Sequence, residues 1–125
     1  MNFPENLKYA KSHEWLEDLG GIVKVGISDY AQSSLGDIVF VNLPEVGDDV
    51  IMDERFADVE SVKAVSDIYS PVTGKVVAVN EDLIDAPEKI NENAYAAWLI
   101  EVGDVDVMCD LLDAAEYKVL CEAEE

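Results

Sequence analysis

Short runs of β-branched and aromatic residues, cut at intervals by glycine, proline and aspartate, fill most of the first hundred positions. Runs of this length suit pleated, half-buried strands and are too short for buried helices. The chain is thereby confined to a mainly β architecture. Residues 22–27 follow a Gly20-Gly21 turn, and residues 37–43 form a strand ended by Pro44. Gly47-Asp48-Asp49 is a turn, extended chain continues around residues 56–60, and residues 65–69 have strand character again. Pro71 and Gly74 mark a further turn before a strand at 74–80, and residues 98–102 make the last strand. Between the first strands, Ser28 as an N-cap and Gly36 as a stop delimit one short helix.

The two remaining stretches differ in kind. Residues 81–94 are polar, contain Pro87 and read as a loop. Residues 105–112 suit a short helix, and Asp113-Ala114-Ala115-Glu116 is an aspartate variant of the capping box. Tyr117, Leu120 and Cys121 then fall on one helical stripe. A single domain, residues 1–125, is expected, with a helical C-terminal part from about 105 to 123 packed on the strands. Strands first and helices last suggest a small β-barrel or sandwich with helical additions.

Composition narrows the partners. Aspartate and glutamate number 28 against 8 lysines and arginines, a net charge of −20, yet half the residues are hydrophobic, enough for a core. Phosphate backbones are bound through lysine and arginine clusters, and none is present, so neither nucleic acid nor an anionic membrane is an expected partner. A protein partner with a basic docking face fits the charge; so does simple solubility. Cys109 and Cys121 match no zinc or redox spacing and are read as packed thiols in a reducing compartment. No apolar run is long enough to span a bilayer. The first residues lack the features of a signal or transit peptide, so a bacterial cytoplasm is expected, with a processed mitochondrial matrix form as the alternative.

Catalytic constellations are missing from the pattern. There is no nucleotide-binding glycine loop, and the one histidine, His13, cannot build a multi-histidine metal site. No nucleophile elbow or Cys-His pattern occurs, so neither catalytic residues nor a metal site is expected. Lys63 is different. It is the only lysine between Lys24 and Lys75, it is flanked by uncharged Val62 and Ala64, and it falls between two strand-like segments. A tight hairpin would hold its amine out from a rigid body, where an enzyme could attach a cofactor. On spacing alone, an ordinary solvated turn lysine is the much commoner reading.

Glu60-Ser61-Val62-Lys63-Ala64, followed by residues 66–74 (Ser-Asp-Ile-Tyr-Ser-Pro-Val-Thr-Gly), resembles the lipoylation motif of glycine cleavage H proteins. Ser12-His13-Glu14-Trp15, residues 25–28, Leu35-Gly36-Asp37, residues 40–44, Val79-Asn80 and Leu111-Leu112-Asp113-Ala114 through Tyr117 agree in order, so the likeness covers nearly the whole chain. The resemblance implies a β-barrel-sandwich hybrid fold and a non-catalytic carrier with lipoate on Lys63, in a motif completed by Glu60, Ser61, Val62 and Ala64. It implies as partners a glycine decarboxylase, an aminomethyltransferase and a dihydrolipoyl dehydrogenase, with a lipoate ligase or lipoyl transferase to load the arm. It further implies that the loaded arm folds into a surface cleft at Ser12, Glu14 and Asp67, where carboxylates hold its ammonium. His13 and Trp15 are expected to pack rather than to bind. Ser34 and Tyr30 stand where many family members have histidine, and Ala94-Tyr95 and Ala97-Trp98 depart from the family's last-strand pattern, which bears on arm docking. Two other readings remain: an H-like relay that donates lipoate to other domains, and a biotin carrier, which the lack of methionines beside Lys63 disfavours.

Overall fold

The computed structural model describes residues 1–124. Three antiparallel strands open the chain: β1 (Lys8–Tyr9), β2 (Glu14–Asp18) and β3 (Val23–Ile27). Val23, Val25 and Ile27 alternate inward along β3, as a period of two requires. Helix α1 (Asp29–Leu35) starts at Ser28, whose Oγ accepts the Ala31 N–H at 3.1 Å, and stops at Gly36, whose φ of 80° suits glycine. Then come β4 (Ile38–Asn42), β5 (Asp49–Val50), β6 (Arg55–Ser61), β7 (Val65–Tyr69) and β8 (Val72–Val79). Two short helices, α2 (Asp82–Asp85) and α3 (Lys89–Glu92), lead to β9 (Ile100–Met108) and the terminal helix α4 (Ala114–Glu124).

These strands form a six-stranded sheet in the order β1-β2-β3-β9-β8-β5 and a three-stranded sheet in the order β4-β6-β7. One core fills the space between them, with Val25, Val59, Val72, Val76, Leu99, Ile100 and Val102 among its buried members. The result is the mainly β sandwich expected, with a helix in the N-terminal half and another at the C-terminus. Among the described residues no strand pairing closes the two sheets into one barrel.

A second cluster docks α4 on β1 and β2. Tyr9 and Tyr117 stack with ring centroids 4.5 Å apart, and Leu7, Trp15, Ala114 and Cys121 surround them. The Asp113 capping box forms in both directions: Glu116 N–H to Asp113 Oδ1 at 2.8 Å, and Asp113 N–H to Glu116 Oε1 at 3.1 Å.

Three expectations are corrected. The helix expected at 105–112 does not form; β9 runs on to Met108, pairing Val107 with Thr73 and Met108 with Val72. Val107 is β-branched and the end of β8 offers it a partner in Thr73, so long-range pairing overrides a helical period (the C-terminal helical part begins at Ala114, not near 105). Gly74 is no turn but an interior residue of β8; a Cβ there would come within 2.6 Å of Gly103 O, so glycine permits β9 to approach. The loop expected at 81–94 contains α2 and α3 on either side of Pro87, each anchored by one fully buried residue, Leu83 and Ile90.

Gly26 also faces a close neighbour. It pairs with Trp15 across β2 and β3, and an added Cβ would lie 2.6 Å from the indole Cε2 and Nε1. The indole cannot yield easily, because its Nε1–H is bonded to Ala94 O at 3.1 Å. Gly26→Ala should therefore destabilise the fold by about 1–3 kcal/mol through overpacking, read as a lowered urea midpoint. An unchanged midpoint would mean that the Trp15 pocket is looser than its geometry.

Candidate functional site

The chain from Ser61 to Ala64 turns between β6 and β7, with Lys63 at the tip. Ser61 organises the turn. Its N–H donates to Ala64 O at 2.8 Å, and its Oγ accepts from Lys63 N–H at 3.2 Å and Ala64 N–H at 3.1 Å. The tip is braced from outside by Val62 N–H, which donates to Asp37 O at 3.0 Å. The Lys63 stem lies over the bare Cα of Gly36, where a Cβ would sit 3.1 Å from its Cε. Lys63 is exposed and joins no ion pair among the described residues. The side chain is thus accessible, on a backbone that local hydrogen bonds brace. Glu60 is exposed on β6 beside the turn, and Val62 and Ala64 are exposed within it.

Ser12, Glu14 and Asp67 come together. They line one cleft of about 270 Å³ between the start of β2, helix α1 and the edge strand β7. Glu14 is only 2% exposed. Ser12 Oγ donates a hydrogen bond to Glu14 Oε1, and Tyr69 N–H donates to Oε2 at 3.4 Å. Burial pushes the Glu14 carboxyl up from 4.5 to about 7, against those two hydrogen bonds. Asp67 is half-exposed, with Arg55 Nη1 3.6 Å from its Oδ1. Ser34 and Tyr30 line the same cleft from α1.

His13 and Glu124 also line the cleft, and sequence reasoning missed both as members of it. His13 adopts a φ of 80°, which aims its ring at α4. Its Nδ1 lies 2.7 Å from Tyr117 Oη, and its Nε2 lies 3.2 Å from Glu124 Oε1. Tyr117 Oη also meets Ser28 Oγ at 2.6 Å. His13 is the packing residue expected, but one that ties the terminal helix to the mouth of the cleft. No local signal joins residues 111 positions apart. Trp15 is buried, as expected. The divergent Ala94-Tyr95 segment lies outside the cleft: Tyr95 Oη accepts from Asp29 N–H at 3.1 Å and donates to Asn2 O at 2.6 Å. A larger hollow of about 450 Å³, lined by Asp82, Lys89 and Trp98, shares no residue with the hairpin or the cleft. Among the described residues no cluster of three metal-binding side chains occurs.

Glu14 makes stability depend on pH. Its folded carboxyl holds a proton more tightly than the unfolded one, so the stabilisation is full below about pH 4.5 and is lost as pH rises through about 7. A difference of that size is on the order of 3 kcal/mol. Urea unfolding should show wild type losing roughly that much against Glu14→Gln between about pH 4 and about pH 8. Parallel pH dependences would show that the carboxyl titrates normally.

The family model described as glycine cleavage H-protein matches residues 7–124. A glycine cleavage system H protein of Treponema denticola is 55% identical, over 98% of this chain and 100% of its own length. One from Halalkalibacterium halodurans is 54% identical, over 98% of each chain. The crystal structure of a glycine cleavage system H protein from Mycobacterium marinum superposes with a TM-score of 0.88 at 40% identity, covering 93% of this chain and 96% of that one. With the hairpin lysine and the adjoining cleft, these likenesses lead to one assignment: the chain belongs to the glycine cleavage H-protein family.

Proposed function

We propose that Lys63 is the residue through which this protein carries lipoate, and that the cleft of Ser12, Glu14 and Asp67 receives the loaded arm. The protein is a non-catalytic lipoyl carrier of the glycine cleavage system, as its family is. The observation that carries the finer reading is the exposed, unpaired amine of Lys63 on a braced hairpin tip. A lipoyl group fits that position, since an amide needs only a free amine and open space around it. When bound, it supplies a dithiolane that exchanges an aminomethyl unit and two electrons.

The chain's own residues give the arm a base, a direction and a resting place. Ser61 and the Asp37 carbonyl keep the turn from collapsing onto β6. The stem of Lys63 crosses Gly36 at the end of α1, the helix that also lines the cleft. At the cleft's floor, Glu14 can receive a cation by giving up its proton near neutral pH. Asp67 adds a carboxylate at the rim, half in water, where its contribution is about 0–1 kcal/mol. We assign the partners accordingly: a glycine decarboxylase, an aminomethyltransferase and a dihydrolipoyl dehydrogenase act on the arm, and a lipoate ligase or lipoyl transferase attaches it. The bacterial relatives support a bacterial cytoplasmic location, and no helix among the described residues is long and apolar enough to cross a membrane.

Incubation with a lipoate ligase, lipoate and ATP should add one lipoyl mass to wild type and none to Lys63→Arg, which keeps the charge but presents no acylatable amine. Modification of that variant at Lys75 or Lys24 would move the carrier role elsewhere. The cleft has its own test. Ammonia release from the loaded protein, followed without the transferase, should quicken by roughly tenfold or more in Glu14→Ala, since charge-assisted bonds in shielded sites are worth about 1.5–3 kcal/mol. The half-exposed Asp67 should give a smaller effect on replacement by alanine. Wild-type decay in both variants would place the protective pocket elsewhere and leave only the carrier role of Lys63.

A further inference from the structure

The outer face of the three-stranded sheet is bare beside the lysine. Phe40 pairs with Glu60 and Glu60 with Val65 across β4, β6 and β7, so the three side chains stand in one row on one face. Ala57 and Val59 point the other way, into the core. The row is the one nearest the hairpin turn. Phe40 is 49% exposed, Val65 66%, and Val62 in the turn itself 69%. Single exposed apolar residues are ordinary, but here three of them adjoin the one amine that must be acylated. The next row, Asn42, Asp58 and Asp67, is polar and acidic, with Arg55 within 3.9 Å of Asp58 and 3.6 Å of Asp67.

We propose that the Phe40–Glu60–Val65 row, with Val62, is the docking surface for the enzyme that attaches the lipoyl group, and that this enzyme presents an apolar patch with a basic rim. The inference rests on Lys63 being the carrier residue. Acylation joins Nζ to the lipoyl carboxyl carbon. The ammonium loses one proton to solvent, the free amine attacks and the C–N bond forms. The bond from that carbon to the phosphate oxygen of an acyl adenylate breaks, AMP leaving with the electron pair, and the nitrogen gives a second proton to solvent as the amide is completed. For this the enzyme's active site must close on Nζ itself. The stem that carries Nζ is only four carbons long, and its Cε passes close to Gly36 even though the residue is exposed. The protein surface flanking the tip therefore falls inside the enzyme's footprint. Partners that act at the far end of an attached arm work at a distance and need not touch this row. Charge points the same way: Glu60 stands at the centre of the row with Asp37 and Asp58 nearby, on a chain of net charge −20. An apolar anchor within an acidic surround is complemented by an apolar patch rimmed with lysine or arginine.

The test uses full-length unmodified protein with a bacterial lipoate ligase, lipoate and ATP, and reads kcat/KM from the mass shift. Phe40→Thr and Val65→Thr keep strand propensity while removing the apolar contacts. Val119→Ser, on α4 and 68% exposed, is the control. The double variant should lose about tenfold or more in kcat/KM, mostly as a higher KM, as expected for removal of interface anchors. Its melting temperature and the acetylation of Lys63 by acetic anhydride should match wild type, and Val119→Ser should behave as wild type throughout. A kcat/KM within about twofold of wild type overturns the proposal. So does a loss in kcat with equally slowed acetylation, because the row would then only shape the turn. A wild-type dimer by sedimentation that the double variant dissolves makes the row a self-interface instead. If wild type itself accepts no lipoate, the carrier reading fails along with this one; normal transfer to the variants overturns this inference alone.

Discussion

The register of β6 against β7 is the constraint from which the rest of the site follows. Asp58 faces Asp67 and Val59 faces Ser66. Side chains alternate with a period of two, so a slip by one residue would send Val59 into water and Asp67 into the core. The buried Val59 and Ile68 make that slip prohibitive. Once they are fixed, only four residues remain to reverse the chain, and Lys63 has no position open to it except the tip. The hairpin lysine is placed by the burial of two apolar residues that lie outside the turn.

A second dependency runs through Tyr117. Its hydroxyl meets Ser28 Oγ, which also caps α1, and His13 Nδ1, which leads to the cleft. The terminal helix, the first helix and the cleft wall thus share one buried oxygen. Burial raises the Tyr117 phenol well above its ordinary pKa, so it stays a neutral hydroxyl. The same physics acts on Glu14 with a different outcome. A phenol kept neutral is a fixed structural part, whereas a carboxyl moved to about 7 changes charge in the physiological range.

Much of this was legible in the sequence, and the exceptions have physical reasons. The hairpin showed in the β-branched residues on both sides of Ser61-Val62-Lys63-Ala64, and α1 in its cap and stop, Ser28 and Gly36, because these signals are local. Ser12, Glu14 and Asp67 were brought together only by resemblance; no spacing rule joins residue 14 to residue 67. The extension of β9 was hidden because Val105, Met108 and Leu112 also fall at helical spacing, and the choice is made by pairing with β8, Val107 with Thr73 and Met108 with Val72. Helices α2 and α3 are four residues each and lack side-chain caps, so they leave no periodic mark. The contact of His13 with Glu124 depends on a left-handed backbone residue and on the docking of α4, and neither is written locally.

The buried carboxyl of Glu14 ties occupancy of the cleft to the proton balance of the solution. At a pH near its own pKa of about 7, roughly half of the molecules hold a proton there. A cation that settles against the ionised carboxylate must displace that proton, so filling the cleft releases on the order of half a proton per molecule at neutrality. The proton passes to the buffer, and the heat of docking then includes the buffer's own ionisation enthalpy. Calorimetric heats recorded in phosphate and in Tris would differ by that fraction of the gap between the two buffers' ionisation enthalpies, although the contacts in the cleft are the same in both.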